Sequence, residues 1–122
     1  MTIINLDEVS KQTFPNGATY QTIVGDEDGT TPVRVGVQVS PPGYSTGTHS
    51  HPYMEIISVL EGTGEAWMDG VEGTVVIGPG TTLAMPPNVR HGFCATGTVP
   101  LKTYGVHASP ERIVARHPEL DD

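Results

Sequence analysis

The chain has 122 residues and a formal charge of −8, with six lysines and arginines and a single cysteine. This length suits one domain. The scarcity of basic residues argues against nucleic acid as a partner, and one cysteine excludes both an intrachain disulfide and a thiolate metal cluster. No apolar run approaches the roughly 20 residues that span a bilayer, and the N-terminus lacks a signal-peptide pattern, so we expect a cytoplasmic protein without a membrane partner.

The apolar periodicity along the chain is that of β-strands. Valines alternate with other residues over 33–39, which predicts a half-buried strand. Similar patterns predict further strands over 18–24, 54–60, 64–69, 73–77, 82–85, 90–95 and 101–107. Turn-forming pairs and triplets such as EG, DG, GPG and PPN lie between them. Eight short strands at near-regular spacing predict an all-β sandwich or barrel in a single domain.

Two segments do not fit this strand pattern. The loop GDEDGTTP occupies 25–32, after the first predicted strand. Near the C-terminus, Ser109 could cap a helix that begins at Pro110. Residues 110–116 fit an edge strand equally well, and the sequence does not choose between the two.

Three histidines and one glutamate form the most informative pattern. His49 and His51 are one residue apart, so in a strand they project from the same face. Glu55 has the same parity and lies among apolar residues, where a buried carboxylate is costly unless it is paired or bound to a cation. His91 follows a predicted turn at a strand entrance. Imidazole and carboxylate donors that converge in this way are typical of a divalent transition-metal site.

The spacing of these residues resembles the two motifs of the cupin superfamily. Gly43, His49, His51, Glu55 and Gly62 match the first motif without a gap. Gly80, Pro86 and His91 match the second motif in part. The second motif departs from the family pattern at three positions, with Thr81 in place of aspartate, Asn88 in place of glycine and Ala95 in place of asparagine.

The resemblance implies a cupin double-stranded β-helix, a jelly-roll barrel, with one metal ion held by three histidines and one glutamate. The implied ligands are His49, His51, Glu55 and His91, and the metal is Fe, Mn, Ni, Cu or Zn. We divide the chain into N-terminal strands and an arm over 1–30, the barrel over 31–108 and a C-terminal tail over 109–122. Family behaviour also predicts a homodimer with a contact through the N-terminal segment.

Strand parity predicts a substrate pocket beside the metal. The predicted lining consists of five apolar residues that share the inward parity: Val35, Val37, Trp67, Met85 and Phe93. Such a lining would suit a small organic substrate anchored to the metal through oxygen. His107 ends the strand over 101–107 and could enter the cavity as a catalytic acid or base.

Three hypotheses for the function of the metal site remain open. The leading hypothesis is a dioxygenase-like oxidoreductase whose small organic substrate chelates the metal through oxygen. A metal-dependent isomerase or lyase is an alternative from another enzyme class, and a non-catalytic cupin that binds a sugar or another metabolite is a third. A metal with open coordination positions supports either O₂ activation or polarisation of a carbonyl, so the donor set does not decide.

Overall fold

The computed structural model describes residues 2–25 and 31–121, and in this part the chain forms eleven β-strands and two short 3₁₀ helices. The helices are Leu6–Glu8 and Pro118–Leu120. No helix in the described ranges has the length and apolar character needed to cross a membrane. The middle of the loop predicted over 25–32, residues 26–30, lies outside the described residues.

The strands follow the alternating sequence pattern closely. They are β1 Gln12–Thr13, β2 Thr19–Val24, β3 Arg34–Ser40, β4 His49–Ser50, β5 Glu55–Glu61, β6 Thr63–Met68, β7 Val75–Ile77, β8 Thr82–Met85, β9 His91–Thr96, β10 Leu101–His107 and β11 Ala115–Arg116. All eight strands predicted from periodicity are present, most of them shifted by one residue. The seventh strand begins at Val75 and not at 73, because Gly73 has a φ of +70°, which extended backbone does not adopt.

The strands form two antiparallel sheets that enclose a common core. The first sheet has the order β1-β2-β3-β10-β5-β8 and the second the order β11-β4-β9-β6-β7. The core draws side chains from both sheets: Ile57, Val59, Ala66, Ile77, Met85, Phe93, Ala95 and Leu101. Removal of this apolar surface from water is the main stabilising contribution. The predicted all-β fold is confirmed.

The C-terminal tail answers the question of helix or edge strand. Residues 115–116 pair with β4 at the edge of the second sheet, with Ala115 opposite Ser50. Ser109 accepts a hydrogen bond from the Glu111 N–H at 3.1 Å, as in a turn, and no helix follows it among the described residues before Pro118. The edge-strand alternative therefore holds for two residues of the segment.

Two turns between strands use left-handed backbone, one before β9 and one between β5 and β6. Asn88 has a φ of 64° and donates its backbone N–H to the carbonyl of His51 at 2.7 Å. Asparagine tolerates this left-handed conformation better than most residues, so it replaces the motif glycine without loss of the turn. At Gly62, with a φ of +82°, an added Cβ would lie 2.3 Å from the carbonyl oxygen of Pro100, so that turn requires glycine.

Candidate metal centre

Three different strands bring the predicted ligands to one point. His49 lies on β4 and pairs directly with His91 at the start of β9. Glu55 begins β5, and His51 lies in the short connection before it. The ligand atoms of His49, His51, Glu55 and His91, called here the ligand cluster, all lie within 4.8 Å of one another, and all four residues are buried. These side chains form a group that could hold a metal ion.

Backbone carbonyls orient the three imidazole rings of the cluster. The Nδ1 atom of His49 lies 2.9 Å from the carbonyl oxygen of Gly47, and that of His91 lies 2.8 Å from the carbonyl of Val89. The Nδ1 atom of His51 lies 2.6 Å from the carbonyl of Ile113. A carbonyl oxygen only accepts, so each Nδ1 carries a hydrogen and donates it. In the neutral ring Nε2 then keeps a lone pair, as a metal ligand requires.

The contacts of Glu55 indicate whether the ligand cluster suits a cation. Its Oε1 atom lies 3.0 Å from Nε2 of His91 and 3.4 Å from Nε2 of His51. Between neutral rings and a carboxylate these would be contacts between acceptors, which are unfavourable unless a proton or a metal ion lies between them. Nitrogen and oxygen donors of this kind suit a divalent transition metal. The residues present therefore fit the metal that the sequence pattern predicts.

The local charges follow from burial and these contacts. Burial alone would raise the pKa of Glu55, but the close contacts of its carboxylate with the rings of His107, His51 and His91 outweigh it and hold that pKa far below its usual range. Burial likewise acts to lower the pKa of His91, and the hydrogen bond to Glu55 overcomes it, so the pKa is raised. Glu55 is thus the ionised carboxylate of the cluster, ready to offset a cation.

His49 responds in the opposite direction. Burial lowers the pKa of His49 from 6.5 to about 4, and the positive charge of His91 adds to the effect, while the hydrogen bond to Gly47 opposes it. No hydrogen-bond partner of its Nε2 atom occurs among the described residues. His49 is therefore neutral near pH 7, with its Nε2 lone pair available.

His107 contacts the cluster through the second oxygen of Glu55. Its Nε2 atom lies 2.7 Å from Oε2, and its Nδ1 atom lies 2.7 Å from the hydroxyl of Tyr53. Burial raises the pKa of Tyr53, so the phenol keeps its proton. The Glu55 carboxylate only accepts, so Nε2 carries a hydrogen, and in the neutral ring Nδ1 then accepts a hydrogen bond from the Tyr53 hydroxyl. The hydroxyl oxygen in turn accepts from the Ile113 N–H at 3.4 Å. His107 consequently carries its hydrogen on Nε2 and orients Glu55, unlike the three rings that carry theirs on Nδ1.

The cavity beside the cluster has a volume of about 130 Å³ and includes three of the predicted pocket residues, Val35, Val37 and Phe93. His107 lines the same cavity. Its position was predicted from strand parity, but its contact with Glu55 was not. The register of β10 on β5, which places His107 opposite Glu55, is the signal that would have indicated it.

The other two predicted pocket residues, Trp67 and Met85, lie elsewhere. On β6 the buried residues are Gly64 and Ala66, so Trp67 points to the opposite face. There its indole N–H donates to Thr48 Oγ1 at 2.9 Å. Met85 belongs to the apolar core and is only 3% exposed. Both residues line a separate cavity of about 190 Å³ on the far side of His91.

The C-terminal tail is part of the site, which the sequence did not indicate. Ile113 supplies the carbonyl that holds His51 and the N–H that binds Tyr53. Asp121 accepts hydrogen bonds from the backbone N–H of Thr48 at 3.0 Å and from its hydroxyl at 2.6 Å. The tail therefore contacts the chain on both sides of His49, at Thr48 and at His51.

Comparison with known proteins identifies related folds. The family model of the cupin domain matches residues 36–107. The polyketide cyclase RemF from Streptomyces resistomycificus is 22% identical with a TM-score of 0.80, and the match covers 95% of this chain and 84% of that chain. A predicted oxalate decarboxylase from Thermotoga maritima is 22% identical with a TM-score of 0.78, covering 87% of this chain and 97% of that one.

A cupin-like protein from Thermotoga maritima has 26% identity and a TM-score of 0.75, with 89% of this chain and 84% of that chain covered. No curated protein matches the sequence.

Proposed function

The chain belongs to the cupin domain family and has its double-stranded β-helix fold, and on this basis we propose that it is a metal-dependent enzyme. The ligand cluster holds one divalent transition metal, and a small organic substrate binds that metal through oxygen. The observation that carries the proposal is the convergence of three imidazole Nε2 atoms, each freed by an Nδ1–carbonyl hydrogen bond, on the Glu55 carboxylate. When bound, such a metal polarises a substrate oxygen or supplies a redox centre.

The reaction that the cavity wall favours is that of an isomerase or lyase that develops negative charge on a substrate oxygen. His107 lines the cavity, and its Nε2–H, which binds Glu55 Oε2 at 2.7 Å, is the group that would bind a substrate oxygen in exchange for that carboxylate oxygen. A neutral imidazole in this position stabilises an enolate-type oxygen by hydrogen bonding. Tyr53 keeps the ring in the required tautomer through Nδ1.

A dioxygenase-like oxidoreductase is the second candidate. Its support is the donor set, which suits redox-active metals as well as zinc, together with the apolar side chains of Val35, Val37 and Phe93 in the cavity wall. The two reactions differ in their requirement for O₂. An isomerase or lyase works without O₂, whereas a dioxygenase consumes it.

One experiment separates these possibilities. The protein is stripped with a chelator, reloaded separately with Fe, Mn, Ni, Cu or Zn, and incubated in D₂O with a panel of small ketones, enols and catechols. Deuterium incorporation or product formation without O₂ uptake supports the isomerase or lyase, and O₂ uptake supports the dioxygenase. Binding without turnover supports the sugar- or metabolite-binding alternative. If the protein binds none of the metals, the proposal is refuted. His91→Ala serves as the control variant, which should not bind metal.

We also propose that the chain forms a homodimer through residues before Ala18. The support is the open edge of the first sheet at β1 and the exposure of two nearby isoleucines, Ile3 at 76% and Ile4 at 42%. Sedimentation at micromolar concentration should give twice the mass of 12.9 kDa, and removal of the first ten residues should shift the profile toward monomer. A monomeric intact protein would contradict this proposal.

A further inference from the structure

Three arginines lie around the cavity beside the ligand cluster, which His49, His51 and Glu55 also line. Arg34 comes from β3, whereas Arg112 and Arg116 come from the C-terminal tail, and all three line the cavity. The whole chain has only six lysines and arginines and a formal charge of −8. Half of the basic residues are therefore gathered at one cavity of an acidic protein.

Among the described residues, the groups that contact these guanidinium groups are neutral. Arg34 lies 3.5 Å from the carbonyl of Pro110 and 3.5 Å from Thr22 Oγ1, both at the outer limit of hydrogen bonding. Arg116 donates to the carbonyl of Thr46 at 3.3 Å. The Arg112 guanidinium carbon lies 5.4 Å from the centre of the Phe14 ring.

Arg90, by contrast, has its charge balanced by a carboxylate. Arg90 donates to the Asp69 carboxylate at 2.7 Å on the surface, away from the cavity. Within the described ranges, no carboxylate comes within 4.0 Å of the guanidinium groups of Arg34, Arg112 or Arg116. A guanidinium has five N–H donors, so each of the three keeps donors for a ligand.

The described part of the cavity wall carries little negative charge. Glu55 is the acidic residue among the described residues that line it. Both oxygens of Glu55 are already engaged, Oε1 by His51 and His91 and Oε2 by His107. Among the described lining residues, the three arginine charges therefore exceed the single acidic charge even before a divalent cation is added to the cluster.

Given the proposed function, on which this step rests, we infer that the substrate is a small organic anion. Its carboxylate or phosphate group binds Arg34, Arg112 and Arg116, while a second oxygen reaches the ligand cluster. The planar guanidinium matches both anions through paired hydrogen bonds. The cavity volume of about 130 Å³ is close to the roughly 150 Å³ that holds a benzene molecule in an engineered core, so ligands built on one ring are suitable probes.

The test compares ligands that differ mainly in charge. Calorimetry measures binding of 4-hydroxybenzoate, phenyl phosphate and uncharged 4-hydroxybenzamide to the metal-loaded protein. At least one anion should bind about tenfold more tightly than the amide, and the better anion identifies the preferred group. Arg34→Gln and Arg112→Gln should each reduce this preference by about tenfold while the bound metal is retained. Arg34→Lys should restore part of it, and Arg90→Gln, which changes the net charge equally, should leave it unchanged.

Several results would overturn the inference. These are binding of neither anion at millimolar concentration, equal binding of the amide and both anions, or an equal loss of preference in Arg90→Gln and Arg34→Gln. The metal content of each protein, measured on the same samples, separates this inference from the proposed function. A protein that binds metal but does not favour anions refutes only the substrate class, whereas a protein that binds no metal refutes the proposed function.

Discussion

Replacement of His49 by glutamine should reduce the acid sensitivity of the metal-free protein. Burial lowers the pKa of His49 from 6.5 to about 4 in the folded state, so between these values the unfolded chain binds a proton that the folded chain does not. Stability from this residue is complete above pH 6.5 and is lost as the pH falls toward 4. At 1.36 kcal/mol per pKa unit, the loss is about 2 kcal/mol at pH 5 and about 3 kcal/mol at pH 4.

Urea unfolding in the presence of a chelator measures this loss. The free energy of unfolding is compared at pH 7 and pH 5 for the wild-type protein and His49→Gln. The raised pKa of His91 acts in the opposite direction, but His91 is present in both proteins, so its effect largely cancels in the comparison. The wild-type protein should lose about 2 kcal/mol more than the variant over this interval. Equal losses in the two proteins would refute the reasoning.

Other substitutions test the metal and the cavity wall. His91→Ala should lose most of the bound metal and still unfold cooperatively in chelator, because the apolar core does not include this ring; wild-type metal content would place the site elsewhere. Glu55→Gln should weaken metal affinity by at least about tenfold, because the amide keeps one oxygen but not the charge, and Glu61→Gln at the exposed end of the same strand should have no effect. Equal affinities would exclude Glu55 as a ligand. His107→Ala should keep the fold and the metal but lose at least about tenfold in turnover, while Tyr104→Phe on the outer face of the same strand should not; normal turnover by His107→Ala would make that residue structural.

The strands and the ligand cluster were predictable because both depend on local spacing. Alternation of apolar and other residues reports strands directly, and a seven-residue strand such as β10 gives several repeats of the pattern. The first motif fixes the interval from His49 to Glu55, and the turn before β9 determines where His91 enters. Each of these relationships spans only a few residues of sequence, whereas the approach of His91 to His49 joins distant positions and was implied by the resemblance to the cupin motifs.

Features that depend on distant or very short segments were not predictable in the same way. The strands β1, β4 and β11 have two residues each, which is too short for a period of two to be recognised. Trp67 lies in a correctly predicted strand, yet a shift of one residue in parity moves a side chain to the other face. Ile113 acts through its backbone carbonyl, a group that every residue has, so no side-chain pattern indicates its role.

The contact between His51 and Ile113 also ties the site to the end of the chain. The ring is held by the carbonyl of Ile113, which lies 62 positions later in the chain, and β11 beyond it pairs with β4 beside His49. Proteolytic trimming from the C-terminus up to this point would remove the carbonyl that aligns His51 and leave all four ligand side chains in place. An intact set of ligands is therefore not sufficient for an ordered site, which also needs the end of the chain.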